Sequence, residues 1–251
     1  MNPVIRIPLT VTGLHALAGY FTNGPTVAAM YGLVAHLERE TGVPMVEFGF
    51  TVKHYDSRLT EYLKLSERTG SSVVTSMTGY RQADAELVLF AMLPDDFAVE
   101  SEHLVDIADA VNRSRVQGGM ISEIVTPADL KVFVSDTEQD FLTDLAKSEE
   151  ALSRLYLSTV APAGLSGDAL LDYYADALVE DSTVLMCNGY VQVGELEGAR
   201  IAEPNFTLAE LIPAYKLKEV SIRQADELVQ RFFWKFDSEL NQAHPDFFVI
   251  N

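Results

Sequence analysis

The segment AELVLFAML, at positions 85–93, is apolar on both faces of an extended chain. A short apolar run without a polar face predicts a central strand of a β-sheet. The segment VIRIPLTVT, at positions 4–12, instead alternates apolar and polar residues. This period of two predicts a half-buried strand, and Pro8 places that strand at an edge or at a bulge.

A helix is predicted directly after the first strand, in YFTNGPTVAAMYGLVAHLERETGVP at positions 20–44. Pro25 suits the first helical position, with Asn23 or Gly24 before it as the cap. Gly42 and Pro44 end the helix. Apolar residues recur at steps of three and four and form one stripe, which consists of Val27, Met30, Tyr31, Val34 and Leu37.

The next segment, MVEFGFTVKHY at positions 45–55, alternates again and predicts a second strand. Phe48, Phe50 and Val52 fall on one face, and Lys53 and Tyr55 fall on the other. Residues 56–82 are polar and weakly patterned, with clusters of Ser, Thr and Gly, and predict a long excursion.

After the central strand, the sequence predicts a second helix in ESEHLVDIADAVNRSRVQGG, which Gly118 stops, and a short strand in MISEIV. The element order is therefore β-α-β, excursion, β-α-β, which is the order of the ferredoxin-like fold. We predict an α+β chain with a ferredoxin-like (RRM-like) βαββαβ domain over residues 1–128 and a finger-like insertion at 56–82. RNA-recognition domains of this fold present a four-stranded sheet to single-stranded RNA.

Residues 129–251 predict an acidic, mainly helical extension with a returning strand, packed on the first domain. KVFVSD favours a strand, and residues 137–180 favour two helices separated at APAGLSG. TVLMCNGYVQV favours the returning strand, and SIRQADELVQRFFWKF favours a closing helix.

The chain carries 18 basic and 37 acidic residues, a net charge of −19. A protein that binds nucleic acid by bulk attraction carries the opposite sign. The excess is uneven, with net −5 over residues 1–120 and net −14 over residues 121–251. Residues 136–181 contribute 11 of the acids against Lys147 and Arg154. Contacts with phosphate are therefore expected to be local and to come from the first half.

Cys187 is the single cysteine, which excludes a disulfide framework and a multi-cysteine metal site. The sequence has no GxxxxGK[ST], GxGxxG, GxSxG or HExxH motif, and no spaced carboxylate pair that would mark acid–base catalysis. We predict no catalytic residue, no metal and no cofactor. The first residues lack a signal-peptide pattern and no apolar stretch is long enough for a bilayer, so a cytoplasmic location is expected.

His15 and His54 lie at predicted strand ends, where a histidine could stack on a base or move a proton, or serve as an ordinary loop or core residue. Gly118 and Gly119 fit either a helix C-cap or a turn where backbone approaches a ligand. Arg113 and Arg115 suit a helix C-terminus as well as a phosphate. The predicted RNA-binding residues are Arg6, His15, Asn23, Gly24, Lys53, Tyr55, Arg58, Arg68, Arg81, Arg113, Arg115, Gly118 and Gly119.

The segment RIPLTVTGLHALAGYFTNGPTVAAMYGLVAHLERETG resembles the opening of the Cas-five-type subunit of type I-F CRISPR surveillance (Csy) complexes. The loop at 13–18, the Asn23-Gly24-Pro25 turn and the helix AAMYGLVAHLER carry this likeness. ADAELVLFAML, DIADAVNRSRVQGGMI, NGYVQV and EVSIRQADELVQRFFWKF resemble later motifs of the family in the same order. The chain looks shorter than the usual members, and the acidic region at 136–181 has no counterpart among those motifs.

The resemblance implies a subunit that does not cleave RNA. It implies partners: the 5′ handle of the guide RNA, the large subunit and the backbone subunits, with no membrane. Residues 56–82 would be the finger that fixes the first kink of the RNA, and the loop before the first helix would meet a phosphate or a partner at the helix N-terminus.

Two other functions stay open on the sequence. The acidic face could imitate nucleic acid, so that the chain docks on a CRISPR complex and blocks it as a decoy or anti-CRISPR protein. A handle-processing ribonuclease would use His15 or His54.

Overall fold

The computed structural model describes residues 1–16, 25–69, 72–159, 168–178, 182–196, 199–236 and 247–250. The helices are α1 Val27–Thr41, α2 Ser101–Asn112, α3 Glu138–Ser148, α4 Asp168–Ala177 and α5 Ile222–Phe232. The first strands are β1 Val4–Ala16, β2 Glu47–Thr69, β3 Ser72–Met92, β4 Arg115–Val116, β5 Gly119–Ile121 and β6 Lys131–Phe133. The later strands are β7 Arg154–Thr159, β8 Thr183–Leu196, β9 Ala199–Pro213 and β10 Phe247–Val249.

The described strands form one antiparallel sheet in the order β10-β8-β9-β7-β2-β3-β1-β5-β4, with β6 also paired to β1. The mixed α+β class that the sequence predicts is thereby confirmed. The apolar segment at 85–93 lies in β3, between β1 and β2, as predicted for a central strand.

Helices cover both faces of the central strands. On one face, Leu87, Leu89 and Ala91 of β3 belong to a core that includes buried residues of α1 and α2. On the other face, Val88 and Phe90 belong to a second core, which includes buried residues of α3 and α5. Alternate residues of a strand point to opposite faces, so the doubly apolar sequence of β3 requires both layers.

Helix α1 follows the predicted stripe, because Val27, Met30, Val34 and Leu37 are buried. Its predicted cap is wrong. Thr26 is the N-cap, with backbone angles of the extended region, and its hydroxyl accepts a hydrogen bond from the Ala29 N–H at 3.1 Å. A Thr side chain satisfies an N–H group of the first turn, which Gly24 has no side chain to do.

The second helix is shorter than predicted, because α2 ends at Asn112 with Arg113 as C-cap. Gly118 therefore does not stop a helix. It lies in the turn between β4 and β5, where Gln117 and Gly118 have positive φ angles of 48° and 80°. Two positive φ angles in a two-residue connection are typical of a tight β-hairpin.

The polar excursion at 56–82 is a continuation of β2 and β3 into one long hairpin. The two strands stay paired from the sheet as far as Thr69 and Ser72, with shifts of register after Val52 and after Leu59. Without a regular alternation of apolar and polar residues, this segment did not predict a strand.

The C-terminal half differs from the mainly helical extension that the sequence predicts. Residues 154–159, expected within a pair of helices, form strand β7, which pairs with β2 and β9. Strand β9 was not predicted either. Strands from both sides of residue 128 form one sheet. Tyr156, Met186 and Trp234 belong to the same core as buried residues of α1 and α2. Short strands between acidic residues lack a period that separates them from helix.

No helix among the described residues combines the length and apolar character needed to span a membrane.

The close contact of α5 with strand β2 can be tested by substitution at Gly49. A Cβ added at Gly49 of β2 would lie 2.5 Å from Cε1 of the buried Phe232 ring. We expect Gly49→Ala to lower the free energy of unfolding by about 1–3 kcal/mol, as overpacked cores do. Urea unfolding followed by circular dichroism measures this change.

Gly32 is the matched control, because it is exposed on α1 and no atom lies within 4 Å of its added Cβ. Gly32→Ala should raise the free energy of unfolding by about 0.5–1 kcal/mol through helix propensity. Equal stability of the two variants would contradict the packing of α5 on Gly49.

Candidate functional site

A cleft of about 430 Å³ opens where β2 leaves the sheet toward the long hairpin. Strand β2 and the segment entering β7 supply its walls. The lining residues are Val52, Lys53, His54, Tyr55, Ser57, Leu152, Arg154 and Tyr156. We call this set the β2–β7 cleft. It brings together Lys53 and Tyr55, which the sequence predicts as ligands, with residues from the acidic half of the chain.

A β-bulge at Lys53 shapes the cleft. Val52 pairs with Leu87 and His54 pairs with Glu86, so Lys53 is the extra residue of β2. Beyond a bulge, the alternation of faces is reversed. Tyr55 therefore packs against the same core as Val52, and the predicted placement of Tyr55 on the face opposite Val52 is wrong.

Strand β7 supplies the floor and a cation. The Tyr156 ring is buried and stacks on Phe50, with ring centroids 4.9 Å apart. This burial raises the pKa of Tyr156, although the neighbouring Arg154 opposes the shift. Arg154 lies opposite Val52 in the ladder, and its side chain is exposed at the cleft.

The two cations of the cleft differ in how they are held. The Lys53 ammonium lies 2.5 Å from Glu86 Oε2 and 3.1 Å from Glu150 Oε1, and these hydrogen bonds raise the pKa of Lys53. Within the described part of the chain, no carboxylate oxygen lies within 4.0 Å of the Arg154 guanidinium. Arg154 therefore offers its charge to a ligand, whereas Lys53 is already paired.

Arg6 is placed inside the protein. Its Nε–H donates to Glu149 Oε1 at 2.8 Å, and the Thr51 hydroxyl donates to Glu149 Oε2 at 2.8 Å. The Arg6 side chain is 15% exposed and the Glu149 side chain 2%. The sheet face that carries Arg6 is the one that α3 and α5 cover. The helices pack on this face around Val88 and Phe90, while Arg6, Lys53 and Glu86 line a further cleft of about 270 Å³, so only part of the sheet face is open to a ligand.

The predicted arginines Arg58, Arg68 and Arg81 belong to the long β2–β3 hairpin. Arg58 is exposed and forms ion pairs with Asp84 and, at 3.5 Å, with Asp56. The backbones of Arg68 and Arg81 belong to β2 and β3, and their side chains lie outside the described residues.

His15, Gly118 and Gly119 were predicted individually as RNA-binding residues. In the structure they lie together at the C-terminal end of β1. The His15 N–H donates to the Gln117 carbonyl at 3.0 Å, and the Gln117 side chain joins the His15 carbonyl to the Thr26 N–H. A Cβ on Gly119 would lie 2.8 Å from the Leu14 backbone, so only glycine allows this approach. The turn thus fastens β1 to the start of α1.

The remaining predicted ligands are scattered. Arg113 and Arg115 are exposed near the end of α2, and the Arg113 Nε–H donates to the Asp109 carbonyl at 3.1 Å. Asn23 and Gly24 lie outside the described residues.

A separate acidic surface lies on α4. Asp168, Asp172 and Asp176 are exposed at four-residue steps, as expected for one helix face. Asp176 also lines a cleft of about 400 Å³ together with Tyr173 and Glu210. No group of three or more His, Cys, Asp or Glu among the described residues could hold a metal ion.

No protein-family model matches the chain, and no curated protein gives a significant match.

Sequence reasoning missed Leu152, Arg154, Tyr156 and Glu149. The signal for Arg154 was its rarity, as one of two cations within the acidic stretch 136–181. Its proximity to Lys53 arises from the pairing of β7 with β2, in which Arg154 lies opposite Val52, 102 positions earlier in the sequence.

The burial of Arg6 against Glu149 predicts a structural role that can be measured. Arg6→Met leaves the Glu149 carboxylate buried without its cation, and we expect a loss of about 3–5 kcal/mol in the free energy of unfolding. Chemical denaturation of the purified variant tests this value.

The double variant Arg6→Met, Glu149→Met is the control. It removes both charges and should recover most of the lost stability, because apolar pairs replace buried ion pairs at little cost. An Arg6→Met protein as stable as the wild type would mean that Arg6 is not tied to Glu149.

Proposed function

We propose that the chain is a non-catalytic subunit of a CRISPR RNA-guided surveillance complex, where it holds the 5′ handle of the guide RNA and pairs with the large subunit. The observation that carries this proposal is the long β2–β3 hairpin, which extends from the sheet beside the β2–β7 cleft. The hairpin occupies the position that the sequence resemblance assigns to the RNA-contacting finger. A complex of this kind works in the cytoplasm, beside its backbone subunits.

The strand order supports a ferredoxin-like domain within the sheet. The four strands β2, β3, β1 and β5 lie side by side in that order, and every neighbouring pair is antiparallel. Helix α1 connects β1 to β2, and α2 follows β3 and precedes the short strands β4 and β5. With β5 taken as the last strand, this order supports the β-α-β-β-α-β arrangement of that fold. We infer that residues 1–128 adopt it and that 56–82 is its insertion.

The charges suit a subunit that binds RNA only with help. A net charge of −19 opposes the approach of a polyanion, and Lys53, Arg58 and Arg6 are already paired with carboxylates. The free chain should therefore bind RNA weakly. Neighbouring subunits would supply the remaining contacts to the guide, together with base stacking.

The histidines do not form an evident catalytic pair. His15 is level with Gln82, which is level with Arg58, so His15 lies four residues along the ladder from His54. This separation is about 13 Å at 3.3 Å per residue, which is too far for one histidine to act on the other through a hydrogen bond.

The exposed acids of α4 favour a second candidate, the decoy. Three carboxylates in a row, with no cation among the described residues of that helix, could bind a basic surface on a CRISPR subunit. The two functions use different surfaces of the same chain, so variants can separate them.

The first experiment compares two triple variants in guide-complex assembly. Replacing Arg58, Arg68 and Arg81 with Ala should release the guide RNA from the co-purified complex, because residues 56–82 lose three of their four basic side chains and keep only Lys64. Replacing Asp168, Asp172 and Asp176 with Asn should leave the RNA bound. Circular dichroism checks that both variants fold.

The reverse pattern would support the decoy. In that case the Asn variant loses the partner, and wild-type binding falls with salt over the range that screens surface charges. Full assembly by both variants would contradict both candidates.

The second experiment concerns RNA integrity. Handle-bearing RNA should remain intact on prolonged incubation with the protein, with or without divalent metal, because His15 and His54 lie too far apart to act together as acid and base. Denaturing gel electrophoresis is the readout. Cleavage that disappears in His15→Ala or His54→Ala would establish the ribonuclease instead.

A further inference from the structure

We propose that the β2–β7 cleft binds a single nucleotide, with its phosphate on Arg154 and its base against Leu152 and Tyr55. The ligand is either a free mononucleotide or one nucleotide of an RNA strand, and both present the same chemistry to the cleft. The RNA source rests on the proposed function, whereas the cleft and its chemistry do not.

The phosphate end is set by the cations. Lys53, His54 and Arg154 line the same cleft, and Arg154 is the one of its two permanent cations without a carboxylate partner among the described residues. A guanidinium donates two parallel hydrogen bonds to a phosphate group. Ser57 adds a hydroxyl donor at the same cleft. Lys53 is already paired with Glu86 and Glu150, so it attracts the phosphate through its charge rather than through a direct hydrogen bond.

The base end is set by the apolar lining. Leu152 is 76% exposed, which is a high value for a large aliphatic side chain, and it borders the cleft. Tyr55 is partly exposed there, and Tyr156 closes the floor. An exposed apolar side chain beside an aromatic ring provides a surface on which a planar base can pack.

Size and charge favour one nucleotide over a long tract. A volume of about 430 Å³ falls within the range of small-molecule sites, and a longer strand would have to leave the cleft at once. A net charge of −19 repels a polyanion over its whole length, whereas a local cation attracts one phosphate at short range. The cleft therefore selects a short anionic aromatic group.

The experiment titrates the full-length, isotopically labelled protein with adenosine 5′-monophosphate, with inorganic phosphate and with a single-stranded RNA decamer of adenylates, at low salt. Nuclear magnetic resonance locates the perturbed amides. We expect saturable shifts confined to residues 52–57 and 152–156 with the mononucleotide. Arg154→Gln should weaken its binding at least about tenfold, as expected for the loss of a charged hydrogen bond.

Three matched variants assign the contacts. Arg39→Gln removes an exposed arginine on α1, outside the cleft, and should change affinity less than about twofold. Lys53→Gln should have a smaller effect than Arg154→Gln, because Lys53 is already paired. Leu152→Ser should weaken the mononucleotide but not inorganic phosphate, since only the base packs on Leu152.

The outcomes separate the two proposals. Absence of saturable shifts with both nucleotide probes, or equal affinity of wild type and Arg154→Gln, overturns the cleft proposal and leaves the guide-complex function standing. Nucleotide binding that depends on Arg154, in a protein that carries no RNA on purification with its partners, supports the cleft and overturns the guide-complex function. Tighter binding of the decamer than of the mononucleotide identifies an RNA strand as the source.

Discussion

The structure depends on the burial of strand β3 on both faces. Leu87 and Leu89 face the layer of α1 and α2, while Val88 and Phe90 face the layer of α3 and α5. Leaving either set in water would cost about 1.5–3 kcal/mol per large side chain, so the C-terminal half has to fold back onto the sheet. This constraint places the strongly acidic C-terminal half of the chain against the sheet of the N-terminal half. The continuous sheet through β7 and β9 and the buried Arg6–Glu149 pair follow from the same closure.

The packing of α3 and α5 on the second face of the sheet determines where the candidate site lies. A four-stranded sheet with one open face could present its centre to RNA, but here α3 and α5 pack on part of that face, around Val88 and Phe90, and Arg6 is paired with Glu149. The accessible position shifts to the place where β2 bulges at Lys53 and leaves the covered part of the sheet. There His54 follows the bulge and is exposed, and β7 places Arg154 in the same cleft, opposite Val52. A bulge that redirects side chains next to a candidate site is a common use of this irregularity.

The sequence was sufficient for the elements with a strong period. The stripe of α1 and the doubly apolar β3 were predicted correctly, because periodicity reports burial directly. It was insufficient where geometry depends on distant pairing: β7 was taken for helix, Tyr55 was placed on the wrong face, and Thr26 was missed as a cap. Of the cleft, Lys53 and Tyr55 were predicted, while Arg154 and Leu152 were not, because their position depends on a ladder between residues about 100 apart. The RNA-binding role of the predicted arginines stays a prediction.

We propose that RNA lies along the hairpin and its base, rather than that a basic partner lies on the acidic helix α4. Ultraviolet cross-linking of the assembled complex, followed by mass spectrometry of the linked peptides, tests this proposal, because aromatic and neighbouring side chains react where they touch bases. We expect RNA-linked peptides that cover residues 52–82 and 152–156. RNA links confined to other parts of the chain, or an assembly in which protein cross-links fall on residues 168–177 and RNA links are absent, would contradict it.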